Sequence, residues 1–199
     1  MYVVPSRIKR IPRKTETAGT VIDQLVGQDM NQFERTGIYR LNILEGATAH
    51  TLSVMRKLSE SPALAAVLSS AAVIHVAVDL GVAAGLNAMA AGDYIVYETI
   101  NKQWKLGKVQ SVSGSAPDFT VTLTANVSDG IPQGGRILYL GLPADGHEQH
   151  LLTASVENEL MAEPAYFFAD DFGEPIVISI NNATNAAIIS GGIEVGLAM

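Results

Sequence analysis

Between Asp93 and Gly141 the chain runs in short segments of alternating apolar and polar residues, each broken by Gly, Pro, Asp or Asn, and that pattern admits few folds. Tyr94 to Glu98 reads as one strand, and Asn101-Lys102 as the turn that follows. Trp104, Leu106, Lys108, Gln110 and Val112 then alternate with Lys105, Gly107, Val109 and Ser111. Ser113 to Asp118 makes a second turn, and Phe119 to Thr124 alternates again. A turn-rich stretch from Ser128 to Gly135 leads into Arg136 to Leu140. Strands of this length and spacing predict a small antiparallel barrel or sandwich.

The flanks extend the same style. Tyr39, Leu41 and Ile43 alternate with polar residues in a strand that starts at Gly37 and ends at Gly46. Leu52, Met55 and Leu58 stand at helical spacing, and Ser61-Pro62 makes a second helix start, Ser as cap and Pro at the first position. The β-branched run Val73 to Val78 predicts a buried strand, and Gly81 to Gly92 a loop or short helical turn. Further strands are expected at His150 to Val156, Ala165 to Phe168, Ile176 to Ile180 and Gly192 to Leu197. The expected fold is mainly β with one or two short helices: an extended N-terminal arm, then small antiparallel β-barrel or sandwich modules. The divisions are an arm over residues 1–36, with room for one short helix in its polar second half, an α+β module over 37–142 containing the barrel at 93–141, and a sandwich-like module over 143–199.

Composition narrows the class. Hydrophobic residues are 48% of the 199 and charged ones 17%, which argues for extensive burial and against disorder. Cysteine is absent, so thiolate chemistry and disulfides are excluded, as suits assembly in a reducing cytoplasm. The basic residues near the start are followed by the polar Thr15, Glu16 and Thr17, unlike a secretory signal. The most apolar stretch, Ala63 to Ala91, is interrupted by Ser69, Ser70, His75, Asp79 and Asn87, and no helical membrane span is expected.

Charge is placed unevenly. The first fourteen residues carry five basic side chains and no acid. The other 185 carry eight basic and twenty acidic, so the body stands at −12 within a chain of net −7. Eight acids, from Asp145 to Glu174, fall in thirty residues without Lys or Arg. A one-signed block at a terminus reads as an arm for an acidic surface. Pro5 and Pro12 disfavour a helix there and predict an extended strap. Nucleic acid is not the expected partner, because an acidic body repels phosphates and five charges confer little specificity.

Candidate chemistry is sparse. His147 and His150 flank Glu148 at a spacing that is not the helical zinc-protease pattern, and the expectation is a surface loop entering a strand. His75 is expected as a hydrogen-bonded core residue, and His50 has no evident partner. Asp170, Asp171 and Glu174 with Asn181-Asn182 resemble calcium ligands without the EF-hand spacing, and read as a solvated turn. Gly134-Gly135 and Gly191-Gly192 lack the Lys and Ser/Thr of a phosphate loop and read as turns or bulges before strands. Trp104, between Lys102 and Lys105, is either a sugar-stacking platform or barrel packing, and its place in an alternating strand favours packing. No nucleophile elbow occurs. No enzyme activity, cofactor or metal is expected.

The arm from Tyr2 to Thr20 and the barrel segment from Gly92-Asp93-Tyr94-Ile95-Val96-Tyr97 to Gly135-Arg136-Ile137-Leu138-Tyr139-Leu140-Gly141 together resemble tailed-bacteriophage virion proteins, and in layout their capsid decoration (cement) proteins. The resemblance implies a structural protein made in the host cytoplasm and bound to the capsid surface through the major capsid protein or another virion protein. It also implies a homo-oligomer, a trimer in the usual case. Arg7, Lys9, Arg10, Arg13 and Lys14 would pair with carboxylates of the partner, while Tyr2, Val3, Val4, Ile8 and Ile11 would enter apolar grooves. Deleting residues 1–14 is then expected to leave a folded body that no longer binds. Other head or tail components, a carbohydrate- or receptor-binding β module, and an enzyme with a β-sandwich core are the alternatives.

Overall fold

The computed structural model describes residues 3–16, 21–26, 37–45, 50–152, 165–168, 174–181 and 187–198. It is mostly β, with antiparallel sheets and almost no helix. The strands are β1 (Val3–Glu16), β2 (Val21–Val26), β3 (Gly37–Glu45), β4 (His50–Met55), β5 (Ser59–Pro62) and β6 (Val73–Val76). After the single described helix, α1 (Leu80–Ala83), come β7 (Tyr94–Glu98), β8 (Trp104–Ser115), β9 (Asp118–Leu123) and β10 (Arg136–Gly141). The chain continues through β11 (Glu148–Leu152), β12 (Ala165–Phe168), β13 (Ile176–Asn181) and β14 (Ala187–Ala198).

Contacts divide the chain into two compact units that do not follow chain order, unlike the linear division at 36 and 142. One takes Met1–Gln24, Phe33–Val54 and Glu148–Met199; the other takes Leu25–Gln32 and Met55–His147.

In the first unit the start of the chain pairs with its end. β1 runs antiparallel to β14 from Val3↔Ala198 to Glu16↔Ala187, and the sheet order is β1, β14, β3, β12. The ladder slips twice, between Pro5 and Arg7 and between Ile11 and Lys14, the second interval containing Pro12. Proline has no N–H to give to a ladder; Pro12 falls inside the second slip while Pro5 stays opposite Gly196 and borders the first, and an edge strand is where a sheet tolerates prolines. The other sheet runs β11, β4, β13, β2. Within it Glu148 pairs with Val54, so the strand leading to Met55 and the strand returning from His147 are neighbours. Gly191-Gly192 does not precede a strand. It lies inside β14, opposite Ile11 and Arg10 on one side and Ile43 and Asn42 on the other.

The second unit is one six-stranded sheet, β5, β10, β7, β8, β9, β6, curled into a half-barrel. Its two edges meet at a single bridge, Ala63↔Val76, with the Leu64 amide donating to the His75 carbonyl at 2.8 Å. The strands predicted at 94–98, 104–112, 119–124 and 136–140 all form. Inside the curl Ile74, Val76, Ile95, Val109, Val121, Ile131 and Ile137 are buried with Tyr97 and Tyr139. Each such aliphatic side chain contributes roughly 1.5–3 kcal/mol on leaving water. Both tyrosine hydroxyls find partners: Tyr139 donates to Asp93 at 2.8 Å, and Tyr97 accepts from the Ser128 amide at 3.1 Å.

The helices expected around 52–58 and 61–68 do not form. Residues 50–55 and 59–62 are strands, and Leu58 donates its amide to the Tyr139 carbonyl at 2.8 Å. A three-residue apolar spacing fits a buried strand as well as a helix, and here partners some 75 to 100 residues away take the backbone groups. The expected loop or turn at 81–92 carries α1. Its Asp79 cap accepts from the amides of Gly81, Val82 and Met89 at 2.9, 3.1 and 2.9 Å.

Candidate interaction surface

The basic block of the sequence falls on β1, and β1 is an edge of its sheet among the described strands. Val3, Val4, Arg7, Ile8, Lys9, Arg10, Ile11, Arg13 and Lys14 therefore belong to a strand whose inner side is already bonded to β14. Tyr2 lies outside the described residues. The outer side of such a strand offers a row of amides and carbonyls to another strand, and lysines, arginines and prolines along it restrain indiscriminate pairing.

The half-barrel presents a different surface. Three loops converge at one end of it. Val67 and Ile131 exchange two amide–carbonyl bonds of 2.9 Å, and the Ile100 amide donates to the Gly130 carbonyl at 3.2 Å. From Ala63 to Ala72 and from Gly130 to Gly135 no residue is charged. Leu68 is 74% exposed and Ile100 61%, and Leu64 is also exposed. The neighbouring charges are engaged: Lys102 with Glu98 at 2.5 Å and Lys105 with Asp129 at 3.4 Å. Burial pushes the Glu98 carboxyl upward, but bonds from Lys102 and from the Arg136 amide outweigh it and hold it below the usual carboxylate range. The result is an uncharged, partly apolar end on a chain of net −7.

The other candidate residues turn out to be structural. Trp104 is fully buried, with the Arg136 guanidinium 5.4 Å above its ring, so it offers no platform to a sugar. Arg136 also pairs with Glu60 at 2.5 Å, and that bond holds the Glu60 carboxyl below its ordinary value. His75 is not a core residue. Along β6 Ile74 and Val76 point inward, so the alternation turns His75 outward, where Nδ1 meets Asp118 at 2.8 Å.

His147 lies, as expected, in a loop entering a strand, β11, and its ring is engaged there. Its Nδ1 accepts from the Arg56 amide at 3.2 Å and its Nε2 lies 2.5 Å from the Leu140 carbonyl. Both ring nitrogens of His147 are thus occupied. Among the described residues no three His, Asp or Glu side chains converge as a metal site would require. Glu174 is described, whereas Asp170, Asp171 and Asn182 lie outside the described residues. No described helix is long and apolar enough to cross a membrane. Pattern reading found the basic strand from its charge, but it missed the uncharged barrel end, because Ala63 to Ala72 reads as helix until its loop partners are known.

Comparison with known proteins adds little. No family model matches the chain, and no curated protein matches it. Among solved structures the chain is similar to VP17, a capsid protein of bacteriophage P23-77, at 14% identity over 96% of this chain and 100% of that one. The TM-score is 0.22, at which the likeness carries no argument about fold or function.

Proposed function

We propose that this chain is a non-enzymatic virion structural protein that binds the outside of a capsid and stabilises the assembled shell, with β1 as its anchor. The observation that carries the reading is the pairing of five basic residues, unaccompanied by acid, with an open sheet edge on a body of net −12. An acidic strand or groove on a lattice protein satisfies both the charges and the backbone groups that no described strand takes along that edge. The uncharged barrel end is the second contact we assign to the shell, and homo-oligomerisation, as a trimer, is part of the same proposal. A ligand that recognises subunits only in their assembled spacing stabilises that spacing by mass action, and many copies make weak contacts sufficient.

Deleting residues 1–14 is a poor test, because the deletion strips β14 of its ladder as well as removing the charges. The cleaner variant replaces Arg7, Lys9, Arg10, Arg13 and Lys14 with Gln and keeps the strand. Sedimentation of the protein with shells of the phage that encodes it should show binding that weakens with salt and that the Gln variant loses. Equal binding by both forms, or no binding by the unaltered protein, refutes the proposal.

A further inference from the structure

Met55 and His147 are the two ends of the longer segment of the half-barrel unit. Just before and just after, Val54 and Glu148 are ladder partners of β4 and β11. Within the unit, the His147 ring takes the Arg56 amide on Nδ1 and reaches the Leu140 carbonyl, at the end of β10, through Nε2. An amide can only donate and a carbonyl can only accept. The ring satisfies both at once in a single protonation state, the neutral form with its proton on Nε2. A second proton would place N–H against N–H at Arg56, while the bond to Leu140 would survive.

We propose that His147 is a proton-sensitive clasp within the half-barrel unit: neutral, it ties the backbone at Arg56 to the end of β10, and protonated, it releases the Arg56 amide. The charged groups facing it act in opposite directions, Asp145 favouring the imidazolium and Arg56 opposing it. Burial sides with Arg56, the bond to Leu140 with Asp145, and the balance leaves the ring harder to protonate than a free histidine. A histidine whose folded pKa is depressed binds its proton more readily once released. Its contribution is therefore complete above about pH 6.5 and is lost as pH falls through the folded value.

The test uses the whole chain. Nitrogen NMR of the imidazole should report the Nε2–H tautomer at pH 7.5 and a titration below 6.5. Amide exchange, corrected for its intrinsic pH dependence, should show protection of Arg56 falling by at most about tenfold per pH unit below 6.5. The Val109 amide, bonded to the Asp93 carbonyl inside the barrel, serves as the control and should hold its protection. His147→Asn keeps an acceptor near Nδ1 and cannot titrate, so Arg56 protection should become flat with pH. An Nδ1–H tautomer, a ring titrating at or above the ordinary value, Arg56 and Val109 losing protection together, or an Asn variant that keeps the slope would each overturn the proposal. Should the Asn variant fail to fold, the tautomer and titration of the unaltered protein decide the matter alone.

Discussion

Asp79→Ala removes one carboxylate oxygen and orphans three amides. The Val82 amide is on an exposed residue and returns to water. Gly81 and Met89 are buried, so their amides lose a partner without gaining solvent. Each unsatisfied buried amide costs roughly 1–3 kcal/mol, so losing two should cost about 2–6 kcal/mol. Asp79→Asn keeps an acceptor in place and loses only the charge. Bonds to a charged acceptor are about twice as strong as neutral ones, so Asn should recover about half of the loss. Trp104 is the one tryptophan of the chain and is buried in the half-barrel unit, so its fluorescence follows the unfolding of that unit in urea. The midpoint should fall in the order Asp79, Asn, Ala with an unchanged slope. An Ala variant within about 0.5 kcal/mol of the parent would refute the claim that these three bonds hold the 79–89 loop.

The same fluorescence assay checks three further expectations. A Cβ at Gly81 would strike the Asn87 carbonyl oxygen and come within 2.8 Å of the Met89 amide nitrogen, so Gly81→Ala should cost about 1–3 kcal/mol by overpacking. Ile74→Ala empties a fully buried site in the curl and should cost about 2–5 kcal/mol. Arg136→Gln should shift the Trp104 emission but cost little stability, because the Glu60 pair is more than a third exposed. What that pair does contribute is present above about pH 4.5 and lost as pH falls through the lowered Glu60 value, so acid should erase the difference between variant and parent. Leu68→Asp with Ile100→Asp should leave the urea midpoint unchanged while weakening sedimentation with shells, and unweakened binding would remove the barrel end from the interface.

Local pattern was enough for the strand state of β7 to β10, alternating runs between Gly, Pro and Asp turns, and for the neighbour pairs β7–β8 and β8–β9, but not for the pairing of β10 with β7 and β5. It was also enough for the extended state of β1, whose two prolines bar a helix, one inside a slip of the ladder and one bordering the other. Tertiary structure decided what those strands belong to. Nothing local tells residues 50–62 that β11 and β10 will take their backbone bonds, so their apolar spacing reads as helix. Nothing near His147 in sequence foretells Arg56, 91 residues away. The basic segment shows the same division: its charge and extension follow from side chains and φ, whereas its place as an edge strand depends on β14 at the far end of the chain. Short-range preferences set the state of a segment, and partners brought together only on folding set its surroundings.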